Sequence, residues 1–271
     1  MLKAATLTAS IVAVLAGLIV LALTWKPRPF PLYPAQSPAM RTVPLPDGLP
    51  APVARFYRTI MGDRMPVIET AVLTGRGHIR LMGVRFPTRL RFTYMAGQGY
   101  RHYIEVTLFG KPLFRVNERY LDGQALMELP TGVVENDPKT NMAANAGLWA
   151  EAISLPSVYL ADPRVRWEAV DETTARLIVP FGDDQETFTV RFDPETGLVR
   201  YLDTLRWKKT DSPSKLGWRC EILKWERRGN TLLPATSAAT WEDEKGPWLV
   251  YDTEELVYNV DVSDYITAKG P

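Results

Sequence analysis

The sequence predicts a mainly β protein, β-rich α+β in class, with an N-terminal transmembrane helix ahead of a barrel or strongly curled antiparallel sheet of about a dozen strands and one or two packed helices. Three observations predict it. Residues 4–24 carry no charge. Beyond Gly62 the apolar pattern changes to a period of two. The apolar runs are separated by Gly, Asp, Asn and Pro clusters of the kind that turn a chain back on itself.

At 1.5 Å per residue, the segment Ala4–Thr24 as a helix spans about 31 Å, the thickness of a bilayer's hydrocarbon core. Trp25 falls at interface level, with Lys26 and Arg28 directly after it, an arrangement that anchors a helix end among headgroups. A cleaved signal peptide is the rival reading. Its apolar stretch is shorter and ends in small residues, whereas this one ends Leu21-Ala22-Leu23-Thr24-Trp25, so residues 1–25 are read as an uncleaved anchor. Lys3 on one side and Lys26, Arg28 and Arg41 on the other leave the positive-inside count nearly balanced, slightly toward a cytoplasmic domain.

Residues 26–50 read as a proline-rich tether. Nine prolines fall between Lys26 and Pro52. Each fixes φ and removes an amide donor, so extended spacer conformations are expected rather than helix or sheet.

The main domain is expected over 51–262, with a tail at 263–271. It opens on a helix over Ala51–Met61, where Val53, Phe56, Tyr57, Ile60 and Met61 share one face and Gly62 ends it. Strands follow. Leu90, Phe92 and Tyr94 alternate with Arg89, Arg91 and Thr93; Ile104, Val106 and Leu108 alternate with Arg101, Glu105 and Thr107. Val67–Thr74 and His78–Val84 are expected as two strands split at Gly75 and Gly77, and Asp122-Gly123 is a hairpin signal. A second helix is expected over Asn141–Ser154, its stripe made by Met142, Ala146, Trp149 and Ile153, with Glu151 on the opposite side. Strands resume from Val165 to Tyr258. With so many strands and so few helices, the sheet must curl to protect its edges.

Composition excludes little. The chain is 46% apolar and 23% charged with a net charge of +1, which gives no general attraction to nucleic acid. The single Cys220 has no partner for a disulfide and suits a small buried hydrophobe. No motif for a catalytic nucleophile, metal or cofactor is present. His78 and His102 could form a metal or catalytic pair only if they met across the sheet, and isolated strand histidines are more often structural. Asp183-Asp184 sits in a turn where solvated acids are ordinary.

Two features stand out. Residues 76–121 hold nine basic residues against two acids, and residues 122–204 hold fifteen acids against six basic residues. A surface containing Arg89, Arg91 and Arg101 could meet anionic headgroups, or the two segments could pair across strands. Seven of eight tryptophans lie beyond residue 148. They could line an apolar cavity, with Met142, Trp149, Ile153 and Trp167 as candidates, or fill a solid core.

The run Leu49-Pro50-Ala51-Pro52-Val53, the segment Gly147–Pro156, Trp167–Asp171 and Val190–Leu198 resemble a family of uncharacterised bacterial proteins related in architecture to the lipoprotein-localisation carriers, LolA/LolB-like. The resemblance covers about residues 49–262. It implies a curled antiparallel half-barrel wrapped over helices with an apolar cavity between them. It also implies a lipid or lipidated protein as partner, and a place at the cytoplasmic membrane with the domain on the extracytoplasmic side. The chain departs from those carriers in its anchor helix and in lacking a lipoprotein-type cysteine near its start. The readings in play are thus an apolar-ligand binder, a scaffolding module of an envelope complex, and an enzyme using His78 or His102.

Overall fold

Among the described residues, thirteen strands form one continuous antiparallel sheet that does not close. The computed structural model describes residues 2–271, except for the side chains of residues 2–9 and 12. In chain order the elements are α1 (Leu2–Thr24), β1 (Thr42–Pro44), α2 (Ala51–Met61), β2 (Arg64–Pro66), β3 (Thr70–Leu81), β4 (Val84–Met95), β5 (Gly99–Leu108), β6 (Lys111–Leu121), β7 (Gln124–Leu129) and β8 (Gly132–Glu135). Then come α3 (Pro138–Glu151), a 3-10 turn at Ala152–Ser154, α4 (Val158–Ala161), β9 (Arg166–Ala169), β10 (Thr174–Phe181), β11 (Asp184–Phe192), β12 (Val199–Arg206), β13 (Leu216–Arg228), β14 (Thr231–Trp241), β15 (Leu249–Tyr258) and α5 (Ser263–Ile266).

The topology is two meanders, β3–β8 and β9–β15, zipped together where β3 pairs with β15. The open edges, β8 and β9, are four residues each; short edges present little unpaired backbone to another chain. The concave face wraps α2 and α3, and Phe56, Tyr57, Phe92, Tyr94, Trp149, Leu177, Phe188 and Leu202 all sit in this core.

Helix α2 has the bounds its periodicity predicts, and Gly62 ends it at φ 77°. The two strands expected on either side of Gly75 and Gly77 are instead one strand, β3. There the backbone of β15 passes so close that a Cβ on Gly77 would lie 1.9 Å from the Val250 carbonyl, and one on Gly75 would lie 2.2 Å from that of Asp252. These glycines serve close approach, and the turn falls later at Met82-Gly83. The edge strand β8 has no counterpart in the expected elements.

The proline-rich segment is not a spacer held off the domain. It lies on the convex face of β3–β5 as a strap. Arg76 donates to the Pro27 carbonyl at 2.9 Å, Arg89 to that of Arg28 at 3.3 Å, and Arg91 to that of Pro31. Phe30 is buried with Arg89 over its ring at 4.4 Å and Tyr103 at 5.8 Å. Tyr33 packs with Val72, Val260 and Val262, and its hydroxyl donates to the Asp261 carbonyl at 2.6 Å. The C-terminal tail covers the neighbouring part of this face.

The anchor expected at 4–24 falls partly on residues whose side chains lie outside the described set. Among the described residues no helix is long and apolar enough to cross a membrane. The described side chains of α1 from Ser10 through Leu21 are all exposed, and burial begins at Ala22.

Candidate functional site

Helix α3 lies inside the curl of the sheet, and that placement decides which of its residues matter. Asp137 caps its N-terminus, accepting from the Thr140 amide at 2.8 Å, and Pro138 occupies the first turn where no amide donor is needed. Its C-terminal end is satisfied by tyrosine hydroxyls: Tyr159 donates to the Trp149 carbonyl at 2.6 Å and Tyr258 to that of Ser154 at 2.7 Å. Nine of its fourteen residues are buried, so it lacks the single polar side an amphipathic helix would show.

Glu151 therefore does not point to solvent as its position opposite the apolar stripe predicts. Only 15% of its side chain is accessible, and its carboxylate meets the sheet. Tyr94 donates to Oε2 at 2.7 Å, and His102 Nε2 lies 2.7 Å from the same oxygen. The His102 N–H is not aimed along that line, so Nε2 lacks a well-directed hydrogen bond. Burial is the largest influence on the Glu151 carboxyl and pushes its pKa up. His102, the Tyr94 hydroxyl and Arg206 together outweigh burial and hold it below the ordinary carboxylate value. His102 is itself sandwiched, with Tyr100 stacked at 4.0 Å and Phe92 at 4.1 Å.

A second polar group joins α3 to the other meander. Arg206 donates to the Ala143 carbonyl at 2.7 Å and lies 4.5 Å over the Trp218 ring. Asn145 bridges the two meanders, accepting from Tyr120 at 3.3 Å and donating to the Pro180 carbonyl at 3.0 Å. Glu118 accepts from Tyr100. Between these groups lies a cavity of about 50 Å³, lined among others by His102, Glu118, Glu151, Arg206, Cys220 and Ser237. It is the size of one or two water molecules. Trp218 and Trp248 also line it, and their indole N–H groups have no protein partner.

The sequence-predicted residues are scattered by the fold. Trp149 and Ile153 are buried in the solid core. Trp167 is half-buried against Tyr159 and Phe192. Met142 lines a separate open recess of about 510 Å³ at the N-terminal end of α3, with Phe181, Trp207, Glu186 and Lys215. The tryptophans mostly fill core rather than line a large cavity. His78 and His102 sit on opposite faces of the sheet, since His78 pairs with Pro87 and His102 with Phe92 on adjacent parities; they do not form a pair.

Arg89, Arg91 and Arg101 do not make an open basic face. Arg91 and Arg101 are buried, and Arg101 donates to Asn117 at 2.7 Å and to the Tyr265 and Gly270 carbonyls. Arg89 pairs with Glu105 at 2.6 Å beneath the strap.

Chemically, the buried cluster can hold a proton or a water and can bind α3 to the sheet. Burial pushes the Cys220 thiol far above its ordinary value, which leaves it inert as a nucleophile. Among the described residues no group of three His, Cys, Asp or Glu could hold a metal. Sequence reasoning missed Glu151, Glu118 and Arg206. The available signal was the pair of small residues Ala144 and Gly147 on the face that carries Glu151, at helical spacing, which lets the sheet approach closely; a Cβ on Gly147 would sit 3.6 Å from the Tyr100 hydroxyl and from Arg206.

Fold and site together define an open antiparallel half-barrel closed over a central helix. The chain belongs to a family of unknown function, DUF6544, whose model matches residues 39–253. No curated protein matches it in sequence. Its fold is similar to that of a LolA superfamily protein from Nitrosomonas europaea, at 9% identity over 82% of this chain and 99% of that one, TM-score 0.48. It is also similar to a putative outer membrane lipoprotein-sorting protein domain from Vibrio parahaemolyticus, at 11% identity over 79% and 92%, TM-score 0.43. A DUF1329 family protein from Desulfovibrio piger is similar at 15% identity over 75% and 91%, TM-score 0.45.

Proposed function

We propose that this chain is a non-catalytic, membrane-anchored binding protein of the cell envelope. It takes an apolar ligand, a lipid or the acyl chain of a lipidated protein, between α3 and the concave face. The observation that carries this reading is the polar latch. A helix largely enclosed by an apolar, aromatic sheet is fastened to it through Glu151, His102, Tyr94 and Arg206. A buried ion pair adds little net stability over apolar packing of the same volume, so its use here suits a helix–sheet interface that opens. The void of about 50 Å³ is too small for an acyl chain, and the ligand is admitted only when α3 moves off the sheet.

Residues 4–24 anchor the protein in the cytoplasmic membrane, and the domain lies on the extracytoplasmic side. The exposed apolar surface of α1 and Trp25 after it support the anchor; the resemblance to lipoprotein-localisation carriers supports the side. Protease added to intact spheroplasts should degrade the domain, and full protection would place it in the cytoplasm.

The binding reading is tested on the full chain in nanodiscs, by uptake of a fluorescent fatty acid and by mass spectrometry of co-purified lipid. Saturable uptake, faster in Glu151→Ala, is the expected result. No uptake and no bound lipid in either protein would sink it. The near-solid interior favours one second reading, a scaffolding module. Its contact surface would be the bare convex face of β11–β14, where Asp203, Arg219 and Thr240 line an open recess of about 530 Å³. A defined protein crosslinked from that face would favour it.

A further inference from the structure

The last turn of α1 is docked onto a hairpin tip. The Ala22 carbonyl accepts from the Phe109 amide at 3.1 Å, and the Trp25 ring rests against Gly110, where a Cβ would come within 2.8 Å of it. The strap then runs directly onto the sheet, so the β5–β6 turn holds a fixed position beside the end of the helix. The neighbouring β3–β4 turn reaches slightly further, because Thr88 pairs with Val106 and that register sets Arg85 level with Phe109.

These two turns carry unusual residues. Met82-Gly83 and Phe109-Gly110 are two-residue hairpins with positive φ at both positions, 48° and 82° in one, 50° and 69° in the other. The third such turn, Asp122-Gly123, has aspartate at the first position, the kind of residue that tolerates this conformation. Met and Phe there are strained. Met82 gains no burial, being 101% exposed, and Phe109 stays 44% exposed, with Val84 at 41%, Leu113 at 51% and Trp25 at 54% around them. Strain held at exposed apolar side chains contributes nothing to folding and marks a surface kept for contact.

Along the segments that form these tips the charge is one-sided, and the acids of the adjoining β14–β15 loop, Asp243 and Glu244, are already paired with Lys208 and Arg80. Lys26, Arg28, Arg85 and Lys111 are exposed. No acid occurs in residues 25–41, 81–89 or 106–117. Apolar tips flanked by unopposed cations fit the headgroup layer of a bilayer containing anionic lipid.

We infer that the β3–β4 and β5–β6 hairpin tips, with Trp25 and Lys26, form a rim that seats the domain on the anionic headgroup layer of the membrane holding α1. The inference rests on the anchor reading above. The rim fixes the half-barrel's orientation against the bilayer, in place of the loose tether that the proline content suggests.

The test uses the full chain in vesicles of phosphatidylcholine with a minority of phosphatidylglycerol. Single cysteines replace Met82, Leu113 or Asn230, with buried Cys220 left in place, and each is labelled with an environment-sensitive dye. Asn230 lies in the β13–β14 turn at the opposite end of the sheet. A nitroxide on the lipid headgroup should quench labels at 82 and 113 and spare the label at 230. Arg85→Glu with Lys111→Glu should lower the docked-to-undocked ratio by roughly tenfold or more. If the chain resists carbonate extraction but labels at 82 and 113 are quenched no more than at 230, the rim is wrong and the anchor stands. If carbonate releases the chain, the anchor is wrong, and quenching at 82 and 113 on the vesicles then decides the rim alone: present, it stands; missing, it falls.

Discussion

Replacing Glu151 should show whether the latch beneath α3 is what fastens the helix. Glu151→Ala removes the acceptor of the Tyr94 hydroxyl and the carboxylate beside His102, whose side chain is 8% exposed. Breaking one partner of a buried pair costs about 3–5 kcal/mol. The adjoining void of about 50 Å³ lets water reach the orphaned groups, so the lower end, about 3 kcal/mol, is expected. Glu151→Gln keeps an acceptor for Tyr94 and loses only the charge, for about 1–2 kcal/mol. The pH dependence has a definite sign. A carboxyl whose folded pKa lies below its ordinary value stabilises above that ordinary value, and the contribution fades as pH falls through the folded pKa. The gap between wild type and Glu151→Gln should therefore be full at neutral pH and shrink below about pH 4.3. Urea unfolding of the full chain in detergent, followed by tryptophan fluorescence from acid to neutral pH, measures both. A cost under about 1 kcal/mol for Glu151→Ala, or a Gln gap that does not close in acid, would refute the latch.

Four other outcomes can be measured on the same preparation. Gly77→Ala should lose about 3 kcal/mol or more in thermal unfolding, because its Cβ meets the Val250 carbonyl at 1.9 Å. Gly83→Ala, with open space around it but a φ of 82°, should cost about 1 kcal/mol. Phe30→Ala should free the strap, so trypsin cuts after Arg41, which unlike Lys26 and Arg28 is not followed by proline, at least about tenfold faster while the sheet stays intact; unchanged cleavage would mean the strap is held without Phe30. The Cys220 thiol, buried and pushed up in pKa, should resist a thiol reagent until the domain unfolds, and prompt reaction would contradict its burial.

How much of this was legible depended on whether a signal was local. Alternation in β4 and β5 and the periodicity of α2 follow from side chains facing one core, and both elements were read correctly. Gly75 and Gly77 misled because the same residue serves a turn or a close backbone approach, and only the pairing of β3 with β15 decides which. Glu151 misled because rules for amphipathic helices assume one wet side; α3, enclosed by sheet, has almost none. The histidines could be placed on opposite faces only once β3, β4 and β5 were in register. Met142, Trp149, Ile153 and Trp167 were sound as apolar residues, yet the sequence carries no information on whether space is left between them.

The two compositional oddities of the first half of the chain explain one another. A proline-rich segment has carbonyls in full supply but few amide donors, so it cannot satisfy itself by forming helix or sheet. An arginine-rich strand has many donors and no acceptors on its own side chains. Laid together, each supplies what the other lacks: Arg76, Arg89 and Arg91 donate to carbonyls of residues 27, 28 and 31. Arg101 repeats the arrangement with the C-terminal tail through the carbonyls of Tyr265 and Gly270. Buried arginine is costly when its donors are unmet, so the strap and the tail are what make a convex face so rich in guanidinium tolerable. The excess of basic residues between 76 and 121 is thus largely spent inside the protein, and of the cations left exposed, Arg85, Lys111 and Arg115, the first two stand beside the end of α1.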